Sequence, residues 1–274
     1  MIATASVPFS LTAVALGYTA AVRLIWLRRG PHLVPPARIA CFALGLVVLA
    51  AALSGPLDDG ADERFSLHML QHTMLILVAA PLLVLGTPVT VLVLALSAEH
   101  RRRTTTALLR SPAGRVAFSP SFALATFLVV LCGSHLPGIY DAAVAHQGLH
   151  ALEHLAYLFT AALFWMSVLG GDPRPMRLGH PARLLYLFLA MTAMALIGVA
   201  LTMTSSPFYP YYVTAARDRG YSALADQHTG GVLMWTAGMI TVVPVMAAVV
   251  LGWLAEDERR TVRLQQRQDL HHIL

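Results

Sequence analysis

The chain has 274 residues, of which 57% are apolar and 12% charged. Soluble domains carry roughly 25% charged residues, so the composition excludes a water-soluble globular protein. The net charge of +5 does not call for a nucleic-acid partner, because every one of the 19 basic residues is arginine and most fall in the loops of one membrane face.

A run of about 20 apolar residues crosses the hydrocarbon core as a helix. Lipid offers no partner to an open backbone, so these runs must be helices. In chain order they predict spans at Val7–Leu27, Ala37–Leu57, His68–Leu96, Ser119–His135, Leu149–Gly170, Ala182–Thr204 and His228–Leu254. The expected fold is all-α: a polytopic membrane protein built as a bundle of seven transmembrane helices. No basic stretch precedes the first run; Arg28 and Arg29 follow it, which predicts a retained helix rather than a cleaved signal. The third span is the longest, and Pro81 and the Gly86-Thr87-Pro88 turn predict a kink or break in it. The fourth is the shortest and ends at Pro137. Residues 1–255 read as the membrane domain and 256–274 as a short charged cytoplasmic tail.

The arginines orient these spans. Arg23, Arg28, Arg29 and Arg38 surround the first loop, and Arg101, Arg102, Arg103, Arg110 and Arg115 fill the third. Arg174, Arg177 and Arg183 follow span five, and Arg259, Arg260, Arg263 and Arg267 lie in the tail. The opposite face holds Arg64, Arg217 and Arg219. The positive-inside rule then predicts the N-terminus outside and the C-terminus in the cytoplasm. Alternation puts Cys41 and Cys132 at opposite faces, too far apart for a disulfide.

The same sorting divides the twelve histidines. His32, His100, His180, His271 and His272 fall on the cytoplasmic side. His68, His72, His135, His146, His150, His154 and His228 fall on the outer side, at helix ends or in loops. His68 and His72 are four residues apart and share one helix face, as do His150 and His154. Imidazole pairs at this spacing can bind one metal, and the donor type suits zinc, copper, iron or nickel alike. Cys132 stands three residues before His135, where a sulfur would favour copper or zinc; alone, it also reads as a small buried hydrophobe. Glu153 and Asp226 stand beside His154 and near His228. Either can ligate, hold an imidazole in one tautomer, or move a proton. The candidate metal ligands are therefore His68, His72, His135, His150, His154, Cys132 and His228, with Glu153 and Asp226 in support.

Methionines such as Met69, Met74, Met194 and Met234 can bind Cu(I), but gap-filling between helices is the better account of them. Trp165, Trp235, Trp253, Tyr140, Tyr209, Tyr211 and Tyr212 read mostly as interface aromatics. No phosphate loop, dinucleotide fingerprint, nucleophile elbow or haem-attachment motif is present, and no catalytic set is assigned. A zinc-dependent membrane hydrolase with Glu153 or Asp226 as base, a bis-histidine haem protein and a metal-free scaffold remain as alternatives.

Four stretches resemble the CtaG family of bacterial cytochrome c oxidase assembly factors. They are His68-Met-Leu-Gln-His72 with Ala80-Pro-Leu-Leu-Val-Leu-Gly-Thr-Pro88; His135-Leu-Pro-Gly-Ile-Tyr-Asp141; His150-Ala-Leu-Glu-His154 with Phe164-Trp165; and Asp226-Gln-His-Thr-Gly-Gly-Val-Leu-Met-Trp235. Thr73 and Met166 depart from the pattern, where methionine and a second tryptophan are expected. The resemblance implies a multi-pass protein of the bacterial cell membrane that matures haem–copper oxidases, binding copper at the outer face and passing it to an oxidase subunit. It carries a functional expectation to His68, His72, His150, Glu153, His154 and Asp226, and to His135 with a looser match.

Overall fold

The computed structural model describes residues 2–170 and 178–273. Arg174 and Arg177 lie outside the described residues, as do the side chains of Arg267, His271 and His272.

The described residues form fourteen α-helices and no strand. They are α1 (Ile2–Arg29), α2 (Pro36–Leu53), α3 (Pro56–Ala61), α4 (Phe65–Met74), α5 (Ala80–Leu85), α6 (Pro88–Ala95), α7 (Ala98–Thr105), α8 (Pro112–Ala117), α9 (Pro120–Ser134), α10 (Pro137–Ala145), α11 (Gln147–Leu169), α12 (His180–Met203), α13 (Pro210–Arg219) and α14 (Ala223–Ile273). Among the described residues six stretches are long and apolar enough to cross a membrane, and the bent pair α9–α10 makes a seventh if counted as one span. The protein is thus an all-helical, multi-pass membrane protein.

Local chemistry sets the breaks. The second span stops at Leu53 rather than Leu57, because Gly55 takes a positive φ of 75° and Pro56 opens the short α3. The third span is continuous from α4 to α5 but contains a π-helical segment, Leu75–Ala79. Pro81 has no N–H to give and its ring crowds the preceding turn, and a widened turn accommodates both effects. The indole Nε1 of Trp165 donates to the Ile76 carbonyl within that segment, at 2.8 Å. Trp165 is 1% exposed; it is a core residue, not the interface aromatic the sequence predicted. Tyr140, Tyr209 and Tyr212 are likewise buried. The span breaks again at Thr87, whose φ is +51°. After Ser134 the chain bends by 80° into α10, where Pro137 suits the first helical turn. No break separates membrane domain from tail: α14 runs unbroken through Glu256 to Ile273.

Helix α14 packs closely on α12 and α4 through glycine. A Cβ on Gly231 would lie 2.7 Å from the Gly198 carbonyl oxygen, and one on Gly230 would lie 2.6 Å from the Phe65 ring. Without lipid-excluding hydrophobic pressure, such close backbone approach is what holds membrane helices together. At one end of the bundle, α3, α10 and α13 gather over the first turns of α4, α11 and α14. Tyr212 of α13 donates to the Ala61 carbonyl of α3 at 2.7 Å, and Asp141 of α10 accepts from the Tyr211 N–H at 3.3 Å. This is the end where four of the candidate metal ligands meet.

Candidate metal centre

Four histidines from two helices converge. His68 and His72 project from the first turns of α4, and His150 and His154 from the first turns of α11. One ring nitrogen from each can be chosen so that all four lie within 4.8 Å of one another. The ring centroids of His68 and His150 are 4.8 Å apart, and those of His72 and His154 are 5.2 Å apart. His68 is 0% and His72 3% exposed. His150 and His154 are partly buried and face a cavity.

The polar accounting is unusual for a protein interior. Nε2 of His68, His150 and His154 and both ring nitrogens of His72 are buried without a hydrogen-bond partner. Each such atom costs about 1–3 kcal/mol when nothing satisfies it. One cation would serve all four rings at once. A tetrahedral ion with metal–nitrogen bonds of about 2.0–2.1 Å sets its nitrogens about 3.3–3.4 Å apart, so the widest pair draws in by about 1.4 Å when all four rings bind. The donor set therefore fits a borderline transition metal such as copper or zinc.

The protein also fixes one tautomer. The single Tyr212 hydroxyl hydrogen is given to the Ala61 carbonyl, so the 2.9 Å contact with His68 runs from Nδ1–H to the phenol oxygen. The His68 Nε2 lone pair is left facing the cluster, as a metal ligand requires. Tyr157 lies beside the cluster, its ring 4.7 Å from that of His72, and its hydroxyl is hydrogen-bonded to Ser134.

The other predicted residues stand apart from this group. His135 has Nδ1 on the Leu131 carbonyl at 2.7 Å, which leaves its buried Nε2 unpartnered. Its ring centroid lies 6.5 Å from that of Tyr140, which in turn lies 5.3 Å from that of His68. Cys132 is exposed on α9. Glu153 has both carboxylate oxygens buried and unpartnered, yet it is not one of the four. The Asp226-Gln227-His228 stretch makes hydrogen bonds to neighbouring elements instead. Asp226 accepts from the hydroxyl (2.5 Å) and N–H (3.4 Å) of Ser66, and so caps α4, whose own N-cap residue makes no side-chain bond. Gln227 accepts from the Phe208 N–H and donates to the Leu201 carbonyl, and His228 bonds the Thr204 carbonyl at 3.0 Å.

Sequence reasoning missed Asp58, Asp62 and Tyr212. Asp58 accepts from Gln71 Nε2 at 2.9 Å, next to His72 on α4. Both carboxyls lie outside the spans. Burial pushes Asp58 above the usual carboxylate range, against the lowering pull of Gln71. Burial also raises Asp62; His150 pulls it back, and Asp59 and Glu63 add to the rise.

Residues 16–256 match the family described as cytochrome c oxidase caa3 assembly factor (Caa3_CtaG). The chain belongs to that family. An uncharacterised protein of Mycobacterium leprae is 30% identical over 269 residues, covering 94% of this chain and 40% of its own length. Uncharacterised proteins of Mycobacterium bovis and Mycobacterium tuberculosis are each 30% identical over 264 residues, covering 94% of this chain and 39% of theirs. The chain thus spans about two fifths of the length of these relatives. No solved structure matches. Nothing in these comparisons supports the zinc-dependent hydrolase alternative.

Proposed function

We propose that the protein takes up copper at its four-histidine end and passes it to a subunit of a haem–copper cytochrome c oxidase during assembly. The observation that carries this reading is the convergence of four imidazoles whose Nε2 atoms are buried and unsatisfied. Membership of an oxidase assembly family points to the client, and the arginine distribution favours a site on the outer face of the bacterial cell membrane.

The site is built asymmetrically, which suits transfer. His68 and His72 are enclosed, and His68 is locked by Tyr212. His150 and His154 form part of a cavity wall, so they are the ligands an acceptor can displace. Copper arrives and leaves as cargo; the side chains strip its water and hold it, with no bond made or broken in the protein.

The test is metal analysis of the detergent-purified full chain beside the double variant His72→Ala/His154→Ala. The expected result is about one copper per chain in the parent and none in the variant, together with failure of the variant to restore oxidase assembly in a null strain. Stoichiometric zinc in place of copper, or full restoration by the variant, would overturn the reading.

A further inference from the structure

The four-histidine group opens onto a cavity of about 530 Å³ between α1, α2, α3, α10 and α11. Most of its wall is apolar, from residues such as Leu49, Leu53 and Leu158. The polar wall includes His150 and His154 on one side and Asp58 and Asp62 on the other. A second depression, about 630 Å³, adjoins it toward the end of the bundle and carries Asp59, Asp62, Glu63 and Asp218. Asp62 and Tyr211 line both, so the two spaces meet at those residues.

The charge in this passage runs against the rest of the chain. The protein as a whole is basic, yet the outer depression presents four carboxylates against Arg219. That guanidinium is tied to Glu63 at 2.7 Å, and Arg64 is held over the Tyr221 ring at 4.7 Å. A concave surface of one charge sign with low-dielectric walls focuses field lines and concentrates the opposite ion. The passage also has a destination. His72 is 3% exposed, has both ring nitrogens unpartnered, and belongs to the same group as the cavity-lining His150 and His154.

Resting on the metal-handling reading above, we infer that the Asp58–Asp62 passage is the route by which a hydrated divalent transition-metal ion reaches the histidines, with Asp62 the last oxygen ligand before His150. The ion exchanges water for carboxylate oxygen at Asp62, then carboxylate for imidazole nitrogen at His150 and His154. Its charge and oxidation state do not change, and the displaced waters return through the outer depression. The cargo this route selects is a free or weakly chelated dication, since a chain of oxygen ligands competes poorly for a metal held by thiolates.

The experiment is stopped-flow uptake of Cu²⁺ alone by the full chain in detergent, read by its ligand-field absorption, across a series of salt concentrations. Asp62→Asn should lower the association rate about tenfold and flatten its salt dependence, leaving the one-ion stoichiometry in place. The pair Asp59→Asn/Asp218→Asn, which touches only the outer depression, should act in the same direction by a smaller factor. It carries the test if Asp62→Asn fails to fold. Parent-like rates and salt slopes in either folded variant, beside a parent that loads one ion, would remove the route and leave the four-histidine site standing. A parent that takes up no Cu²⁺ would remove the site and the route together.

Discussion

Two histidine-bearing stretches at the same end of the bundle look alike in sequence and behave oppositely in the structure. In the α4–α11 group, Nε2 of all four rings and Nδ1 of His72 are buried with no hydrogen-bond partner. In the Asp226-Gln227-His228 stretch of α14, the side chains bond Ser66, Phe208, Leu201 and Thr204. The first region carries a standing energetic cost that a ligand would relieve, whereas the second has already spent its polarity on joining helices. Polar residues at membrane depth are thus of two kinds, and hydrogen-bond accounting separates them where residue type does not.

The comparison can be broken by substitutions that should act in opposite senses. The largest effect is expected from His72→Phe. It should abolish stoichiometric metal binding, yet leave the metal-free protein at least as resistant to thermal unfolding as the parent, because two unsatisfied buried nitrogens are removed. A marked loss of metal-free stability would mean that His72 is a structural residue. Next, Tyr212→Phe removes the acceptor that holds His68 in its tautomer. Metal affinity should fall about 10–100-fold with stoichiometry retained, as followed by competition with a chelator; an unchanged affinity would show that Tyr212 does not position the ligand. Asp226→Ala should do the reverse of His72→Phe. Loss of the charge-assisted bonds to Ser66 should cost about 1.5–3 kcal/mol of stability, measured by denaturant titration in detergent, with metal affinity reduced by less than in Tyr212→Phe. If metal binding is lost while stability is kept, Asp226 belongs with the histidines after all.

Much of this was legible in the residues themselves. The i, i+4 spacing of His68/His72 and His150/His154, on two helices that start at the same face, is a local pattern and points to one site. The π-helical segment before Pro81 and the break at Thr87 follow from backbone chemistry, at the two places the sequence marked for a kink or break. Asp226 and His228 have the right side chains for ligation, but what they bond depends on which carbonyls and N–H groups α14 meets, and one helix's sequence does not say. Tyr212 falls in α13, a short helix between spans, where an aromatic looks interfacial until α13 folds onto α3. Asp58 and Asp62 sit in a segment without periodicity, and their importance comes from the cavity they share with α11.

The π segment at Leu75–Ala79 has a consequence for how the histidines are aimed. An α-helix turns by about 100° per residue, and a widened turn houses one more residue than the regular helix would. The angular phase between the Pro81 half of the third span and its His68–His72 half is therefore indexed by a count of residues. Winding the same residues as a regular α-helix would swing both imidazoles about a quarter-turn around the axis, away from α11. It would also take the Ile76 carbonyl from the indole of Trp165. The aim of two ligands is thus written into the pitch of the backbone several residues below them.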